Sequence, residues 1–384
     1  MTYFDDDYRT PLNDDVISDD AMRKIMLEAG HSSEFIGMTT AQGTMEYIDN
    51  DQIWLNELIE VDKKLKVFCT DSCYLDMAML AQPVAYNSDN YVLRGSLLLD
   101  VLIEAYVVLD WFFYQTSVGQ HYRPSPYAET FLRDFRDCAF LHACIETDTP
   151  IVSWVEAENT VTELNNRLLS WRSYISTPSF DYECKRAYHN SNKNRKSMRE
   201  WVNALFQKHA YLQVIRVDLG YRKDIATSVP YEMARDQRAT FCKYFHHEPL
   251  FAHMVGYAWK LEWGVSRGFH YHFLLFFDAS QVQNDVLRAQ WIGEYWSKKI
   301  TNGDGTYYSC NHKAEETYYY NALGKMAYHD VHKRQGLEYI ISYLTKSDEY
   351  ASLAVSGRTF FHSRTPRLPD GTRRGRPRES TSAF

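Results

Sequence analysis

A chain of 384 residues is too long for one average domain, and its 45% apolar and 15% aromatic content is that of a globular protein, so two folded units are expected. The net charge of −8 hides an asymmetry: residues 1–150 carry 26 acidic and 10 basic side chains, or −16, and the remainder 24 acidic and 32 basic, or +8. Any polyanion is therefore expected on the back half.

The first twenty residues are acidic and lack the apolar core of a signal peptide. The greasiest run, Leu97 to Tyr114, is broken by Asp100, Glu104 and Asp110, and reads as a buried helix, not a membrane span. Seven scattered cysteines, an odd number, favour a reducing cytoplasm over a disulfide framework. Cys310 and His312 lack a second ligand pair, so they read as a buried thiol beside a surface histidine.

Residues 1–50 read as an acidic N-terminal segment that is expected to be partly disordered. Residues 51–190 read as a helical domain of unknown role. Leu58, Val61, Leu65 and Phe68 recur at helical spacing, as do Val161, Leu164, Leu168, Trp171 and Ile175. Pro126 after Ser125 marks a helix start that Phe131, Phe135 and Leu141 continue. The polar, basic run His189 to Lys196 reads as a loop, with a new helix capped by Ser197 and Glu200 behind it.

The period then changes. Val214 to Leu219 alternates, with Ile215, Val217 and Leu219 on one face and Arg216 and Asp218 on the other. A second strand, Met254 to Trp263, leads through a five-residue loop, Gly264 to Gly268, into a third that carries His270 and His272. Residues i and i+2 of a strand share a face, so the two imidazoles stand side by side. In this register Trp263 opposes Phe269, Glu262 opposes His270 and Lys260 opposes His272, and a slip of one residue would turn Glu262 away. Two imidazoles and a carboxylate suit Mg²⁺ or Mn²⁺ when phosphate oxygens complete the shell. Leu287 to Lys298 and Leu337 to Tyr350 read as helices, giving an α+β arrangement with one polar sheet face. On the last helix Tyr339, Tyr343 and Lys346 share a face. A phenol beside an ammonium group and a metal-polarised phosphate suggests phosphodiester transesterification.

The HxH strand, the acidic residue eight positions before it and the downstream YxxK helix resemble the HUH endonuclease superfamily of rolling-circle initiators. Residues from about 198 to 363, including Arg216 to Tyr221, Trp259 to Glu262 and Tyr343 to Lys346, resemble more closely the YagK/YfjJ C-terminal domain of inovirus-type and cryptic-prophage replication proteins. The resemblance implies an HUH, ferredoxin/RRM-like antiparallel sheet over residues 197–363. It also implies Glu262, His270 and His272 as metal ligands, Tyr343 with Lys346 as the nucleophile motif and Tyr339 as a second tyrosine. The usual first motif is replaced by Arg216-Val217-Asp218, leaving open whether Asp218 assists the metal or merely ends a strand.

The expected activity is metal-dependent nicking and strand transfer on single-stranded origin DNA, through a 5′-phosphotyrosine. Arg216, Lys260 and Arg267 would meet phosphate. The basic tail, 364–384, offers Arg373, Arg374, Arg376 and Arg378 in a stretch resembling an AT-hook. No GxxxxGK[ST] phosphate loop is present, so a host helicase and DNA polymerase would be required. No membrane partner is expected, and the oligomeric state is open. The same chemistry could serve a relaxase or transposase, and a non-catalytic HUH fold could serve a DNA-binding regulator or a phage-defence component.

Overall fold

The computed structural model describes residues 50–70, 74–86, 88–115, 117–147, 150–318, 320–346 and 351–367. The acidic first segment, apart from its last residue, and the four tail arginines Arg373, Arg374, Arg376 and Arg378 lie outside them. The described chain is α+β, built around antiparallel sheets. None of its helices is long and apolar enough to cross a membrane.

The front part is helical, as the spacing predicts: α1 (Asn50–Thr70), α2 (Leu97–Asp110), α3 (Pro126–Phe135), α4 (Ala139–Glu146) and α5 (Trp154–Ile175). Leu58, Val61 and Leu65 face inward from α1, and Val161, Leu164, Leu168 and Trp171 from α5. Ser125 caps α3 through an Oγ that accepts from the Ala128 amide at 3.1 Å, and Pro126 opens its first turn. That helix stops at Phe135, and Leu141 belongs to α4. The helices share this region with β1 (Ala81–Pro83), β2 (Asn90–Leu93) and β4 (Ile151–Ser153), a small antiparallel sheet too short to show as alternation in sequence.

The back part centres on a six-stranded antiparallel sheet. Its strands are β5 (Tyr211–Tyr221), β6 (Met254–Gly264), β7 (Gly268–Asp278), β8 (Gly305–Ser309), β9 (Gly324–Ala327) and β11 (Phe360–His362). The order is β11-β6-β7-β5-β8, with β9 also on β5. One face, through Ile215, Val217, Leu219, Trp259, Phe273 and Leu275, belongs to the same apolar core as Leu58, Phe131, Leu164 and Trp171 of the helical part. Residues from Asn50 onward form one compact unit. The join is visible in β3 (Tyr122–Pro124), which pairs with β10 (Ala351–Leu353), and in the Tyr122 hydroxyl, which donates to the Trp263 carbonyl at 2.8 Å and accepts from its amide at 3.1 Å.

Helices α7 (Tyr231–Tyr244) and α8 (Asp285–Tyr295) also bring Phe241 and Ile292 to that core, and the opposite face is covered by the second half of α6 (Pro178–Lys208) and by α9 (Val331–Lys346). Trp201, fully buried, packs edge-on to Phe276 with ring centroids 5.3 Å apart. Truncating such a side chain to alanine costs about 3–5 kcal/mol.

Two further helix boundaries differ from the sequence reading. The run His189 to Lys196 is the middle of the continuous helix α6, not a loop. Its buried positions Cys184, Ser191 and Met198 recur every seven residues, so the polar run contributes one buried residue, the small Ser191, and the rest faces outward. Ser197 caps no helix start; its Oγ lies 2.8 Å from His362 Nε2. Helix α9 starts at Val331, six residues before Leu337, because Asp330 accepts from the Lys333 amide at 3.0 Å. Gly336 sits inside it where any Cβ would meet the Tyr320 carbonyl oxygen at 2.4 Å.

Candidate metal centre

The β6–β7 hairpin has the expected register. Trp263 pairs with Phe269, Glu262 with His270 and Lys260 with His272. Gly264 also pairs with Gly268, so the loop shortens to Val265, Ser266 and Arg267. Gly268 adopts φ +56°, and a Cβ there would lie 1.9 Å from the Ala226 carbonyl oxygen. Both the left-handed backbone and the close approach demand glycine.

The imidazoles are oriented by acceptors behind them. His270 Nδ1 lies 3.0 Å from the Gly268 carbonyl oxygen, and His272 Nδ1 lies 2.8 Å from Asp218 Oδ1. Each Nδ1 therefore donates, leaving both Nε2 atoms turned toward the Glu262 carboxylate. Glu262 Oε2 is 3.1 Å from His272 Nε2 and 3.9 Å from His270 Nε2. Asp218 stands opposite His272 on the neighbouring strand β5. It does more than end a strand, because a carboxylate behind a metal-binding imidazole fixes its tautomer and raises its basicity. Arg216 holds Asp218 in turn, with Nε 3.3 Å from Oδ1 and Nη2 3.4 Å from Oδ2.

Burial raises the Glu262 carboxyl, but the His272 and His270 imidazoles and Lys260 outweigh it and hold the group down to about 2. Burial pushes His270 down to about 3, and Arg267 and His272 add to the effect. Burial also works against charge on His272, yet the Asp218 and Glu262 carboxylates raise it above its ordinary value. Asp218 is held well below the carboxylate range because Arg216 and His272 overcome its burial.

The donors fit a cation. One atom from each of Glu262, His270 and His272 lies within 4.8 Å of the others, and the buried Glu262 Oε1 has no hydrogen-bond partner. Two imidazole Nε2 atoms facing an unsatisfied carboxylate oxygen form a set that, once His272 gives up its Nε2 proton, could hold a metal ion with coordination positions to spare.

Among the expected site residues, Tyr343 comes to this centre. Its ring centroid lies 5.8 Å from that of His272, and the Arg216 guanidinium carbon stands 5.5 Å from it. Tyr339, one turn earlier, is 9% exposed and packs on Tyr320 with centroids 4.6 Å apart. The side chain of Lys346 lies outside the described residues. Lys260 is 1% exposed, and the half-buried Arg267 acts electrostatically on Asp218 and His270. Asn311 is a site support that sequence reasoning missed. Its Oδ1 accepts from the Arg216 amide at 2.9 Å and its Nδ2 donates to the Val214 carbonyl at 3.0 Å and to Asp285 Oδ2 at 2.7 Å. A lone asparagine in a polar stretch carries no sequence signal for that role. His246, His247, His329 and His332 are exposed, and Cys310 is a buried thiol beside the exposed His312.

The fold and centre define an antiparallel α+β protein with a two-histidine, one-carboxylate site beside a tyrosine. Residues 182–361 match the family model of the YagK/YfjJ C-terminal domain, so this stretch is similar to that domain. The match includes the three candidate ligands, Asp218 and Tyr343. No curated protein and no solved structure matches the chain.

Proposed function

We propose that this is a metal-dependent DNA nicking and strand-transfer enzyme with an HUH-type centre, which initiates rolling-circle replication of a phage-like or satellite element. The observation that carries the reading is the convergence of Glu262, His270 and His272 with Tyr343 against His272. Similarity of residues 182–361 to the YagK/YfjJ C-terminal domain supports a prophage-type setting.

In this reading Glu262, His270 and His272 hold Mg²⁺ or Mn²⁺. The bound cation supplies Lewis-acid polarisation of a phosphate oxygen. Asp218 keeps the His272 proton on Nδ1, and Arg216 keeps Asp218 in place. The Tyr343 hydroxyl attacks phosphorus in line. One P–O bond forms to the tyrosine and the bond to the 3′ oxygen breaks; the phenolic proton passes to water, and the departing 3′ oxygen takes up a proton. The product is a 5′-phosphotyrosine with a free 3′-hydroxyl that primes synthesis, and rejoining needs no ATP because the phosphodiester is exchanged rather than hydrolysed. Unwinding and elongation fall to a host helicase and DNA polymerase.

The test is incubation of the full chain with labelled single strands covering the DNA that flanks its gene, with Mn²⁺, followed by denaturing electrophoresis. A labelled adduct that survives detergent is expected, together with its loss in Tyr343→Phe. An equal yield from Tyr343→Phe would sink the assignment of the nucleophile, and no adduct on any strand would favour a non-catalytic DNA-binding role.

A further inference from the structure

Two of the three cations near the centre are poorly placed to hold a polymer, and the third, Arg267, is a single half-buried charge. Lys260 is 1% exposed, and the Arg216 side chain is 14% exposed and locked onto Asp218. Either could meet a phosphate at the centre, but neither offers an open surface to the strand on each side of it.

Helix α6 offers one. Between Glu183 and Glu200 the chain has six lysines and arginines and no aspartate or glutamate. Because Cys184, Ser191 and Met198 face inward, the opposite side exposes Arg186, His189, Lys193 and Lys196 in one stripe. At 1.5 Å per residue the stripe is about 15 Å long. The sequence does not favour a helix here. Asn190, Asn192 and Asn194 are poor helix formers, and Lys193 and Lys196, three residues apart, repel. Neighbouring charges are used otherwise: Lys185 pairs with Asp181 at 2.7 Å, Arg199 with Glu338 at 2.5 Å, and Arg195 donates to Asn192 at 2.7 Å. Among the described residues, Arg186, Lys193 and Lys196 pair with no carboxylate. The positive charge of the stripe is thus left for something outside the fold.

Its position relates it to the centre. Ser191 Oγ donates to the Thr345 carbonyl and Arg199 reaches Glu338, so α6 and α9 run antiparallel. Tyr343 lies between Glu338 and Thr345 in α9, alongside residues 191–199 of α6. The stripe lies level along α6 with the turn that carries the tyrosine, on the solvent side of the helix, so a strand held there would reach the centre by passing over α6.

We propose that the exposed basic stripe of α6, Arg186, His189, Lys193 and Lys196, is the docking track for the phosphate backbone of the DNA strand that the centre acts on. The inference rests on the nicking reading for the identity of the occupant and on the charge of the stripe for its complementarity. Binding there is backbone recognition, independent of base sequence and sensitive to salt.

The test measures binding apart from chemistry. The full chain and its Arg186→Gln/Lys193→Gln/Lys196→Gln variant are titrated against a fluorescent single-stranded oligonucleotide in EDTA, at several salt concentrations, by anisotropy. Three lost phosphate contacts should make the slope of log K against log salt shallower by about 2 and weaken binding at least about tenfold at 0.1 M salt. Circular dichroism should show an unchanged or higher melting temperature, since glutamine is a good helix former and the repulsion is relieved. Equal affinity and equal slope in the two proteins would overturn the track. So would poly-glutamate competing as well as an oligonucleotide of equal charge, because the stripe would then serve an acidic protein segment. Weakened binding in the variant, with no adduct formed by the wild type, would leave the track standing and remove the chemistry. Unchanged binding with a normal adduct would do the reverse.

Discussion

At the scale of the residue, the centre depends on what stands behind the candidate ligands. Asp218 touches His272 on the side away from Glu262, so Asp218→Asn should leave all three donors in place while weakening the tautomer control. Loss of such a support typically costs 10–100-fold in metal affinity, and Mn²⁺ titration calorimetry should show a fall of about that size. The same charges make the metal-free protein sensitive to pH. His272 is raised above its ordinary 6.5 by Asp218 and Glu262 despite its burial, so its contribution to stability is complete below about pH 6.5 and is lost as the pH rises through the folded-state value. Glu262, held down to about 2, contributes above its ordinary 4.5 and loses that contribution as the pH falls toward 2. Thermal melts in EDTA should therefore decline as the pH rises above 6.5, and His272→Gln should flatten that part of the profile.

At the scale of the element, the hairpin depends on its turn. Gly268 combines φ +56° with a hydrogen at the position where a Cβ would strike the Ala226 carbonyl, and its own carbonyl orients His270. Gly268→Ala should lower stability by about 2 kcal/mol or more, from backbone strain together with the clash, and denaturant midpoints measure it. Metal affinity should fall as well, because the carbonyl that sets the His270 ring moves with the turn. Helix α6 shows how an element escapes a local reading. Its polar run lacked apolar periodicity because the one inward position, Ser191, is filled by a hydrogen bond to α9 rather than by a greasy side chain. The helix is continuous because its two ends bury Phe180 and Trp201 and Ser191 ties its middle to α9, which outweighs the poor local propensity.

At the scale of the whole molecule, the front helices and the back sheet share one apolar core, and β3 ties the hairpin to the return from α9. Tyr122 grips the backbone of Trp263, the neighbour of Glu262, while His121 stacks on the Trp263 ring at 4.0 Å between centroids. A fragment beginning at residue 197 would cut α6 in half and uncover the hairpin end where His121 and Tyr122 meet Trp263 and Phe269, although Phe241 would still cover Phe273. It should bind hydrophobic dye and lack a cooperative thermal transition, whereas the full chain should give coincident transitions by tryptophan fluorescence and far-ultraviolet circular dichroism. A sharp transition in the fragment would show that the sheet region is stable without the helices.

The division between sequence and structure follows the range of the interactions. The pairing of Glu262 with His270 was legible from the sequence, because a strand alternates with period two and a short turn leaves few registers that keep both polar side chains on one face. The helices α1, α3 and α5 were legible for the same local reason, through their spacing and caps. Only the tertiary structure decided that Asp218 backs His272 and that Tyr343, not Tyr339, lies against the centre. It also showed that Lys260 is buried and that the run His189 to Lys196 is a helix with a charged outer face. Each of these depends on contacts between residues dozens or more positions apart, where a side chain's role is set by the surface brought opposite it and leaves no periodic mark in the chain.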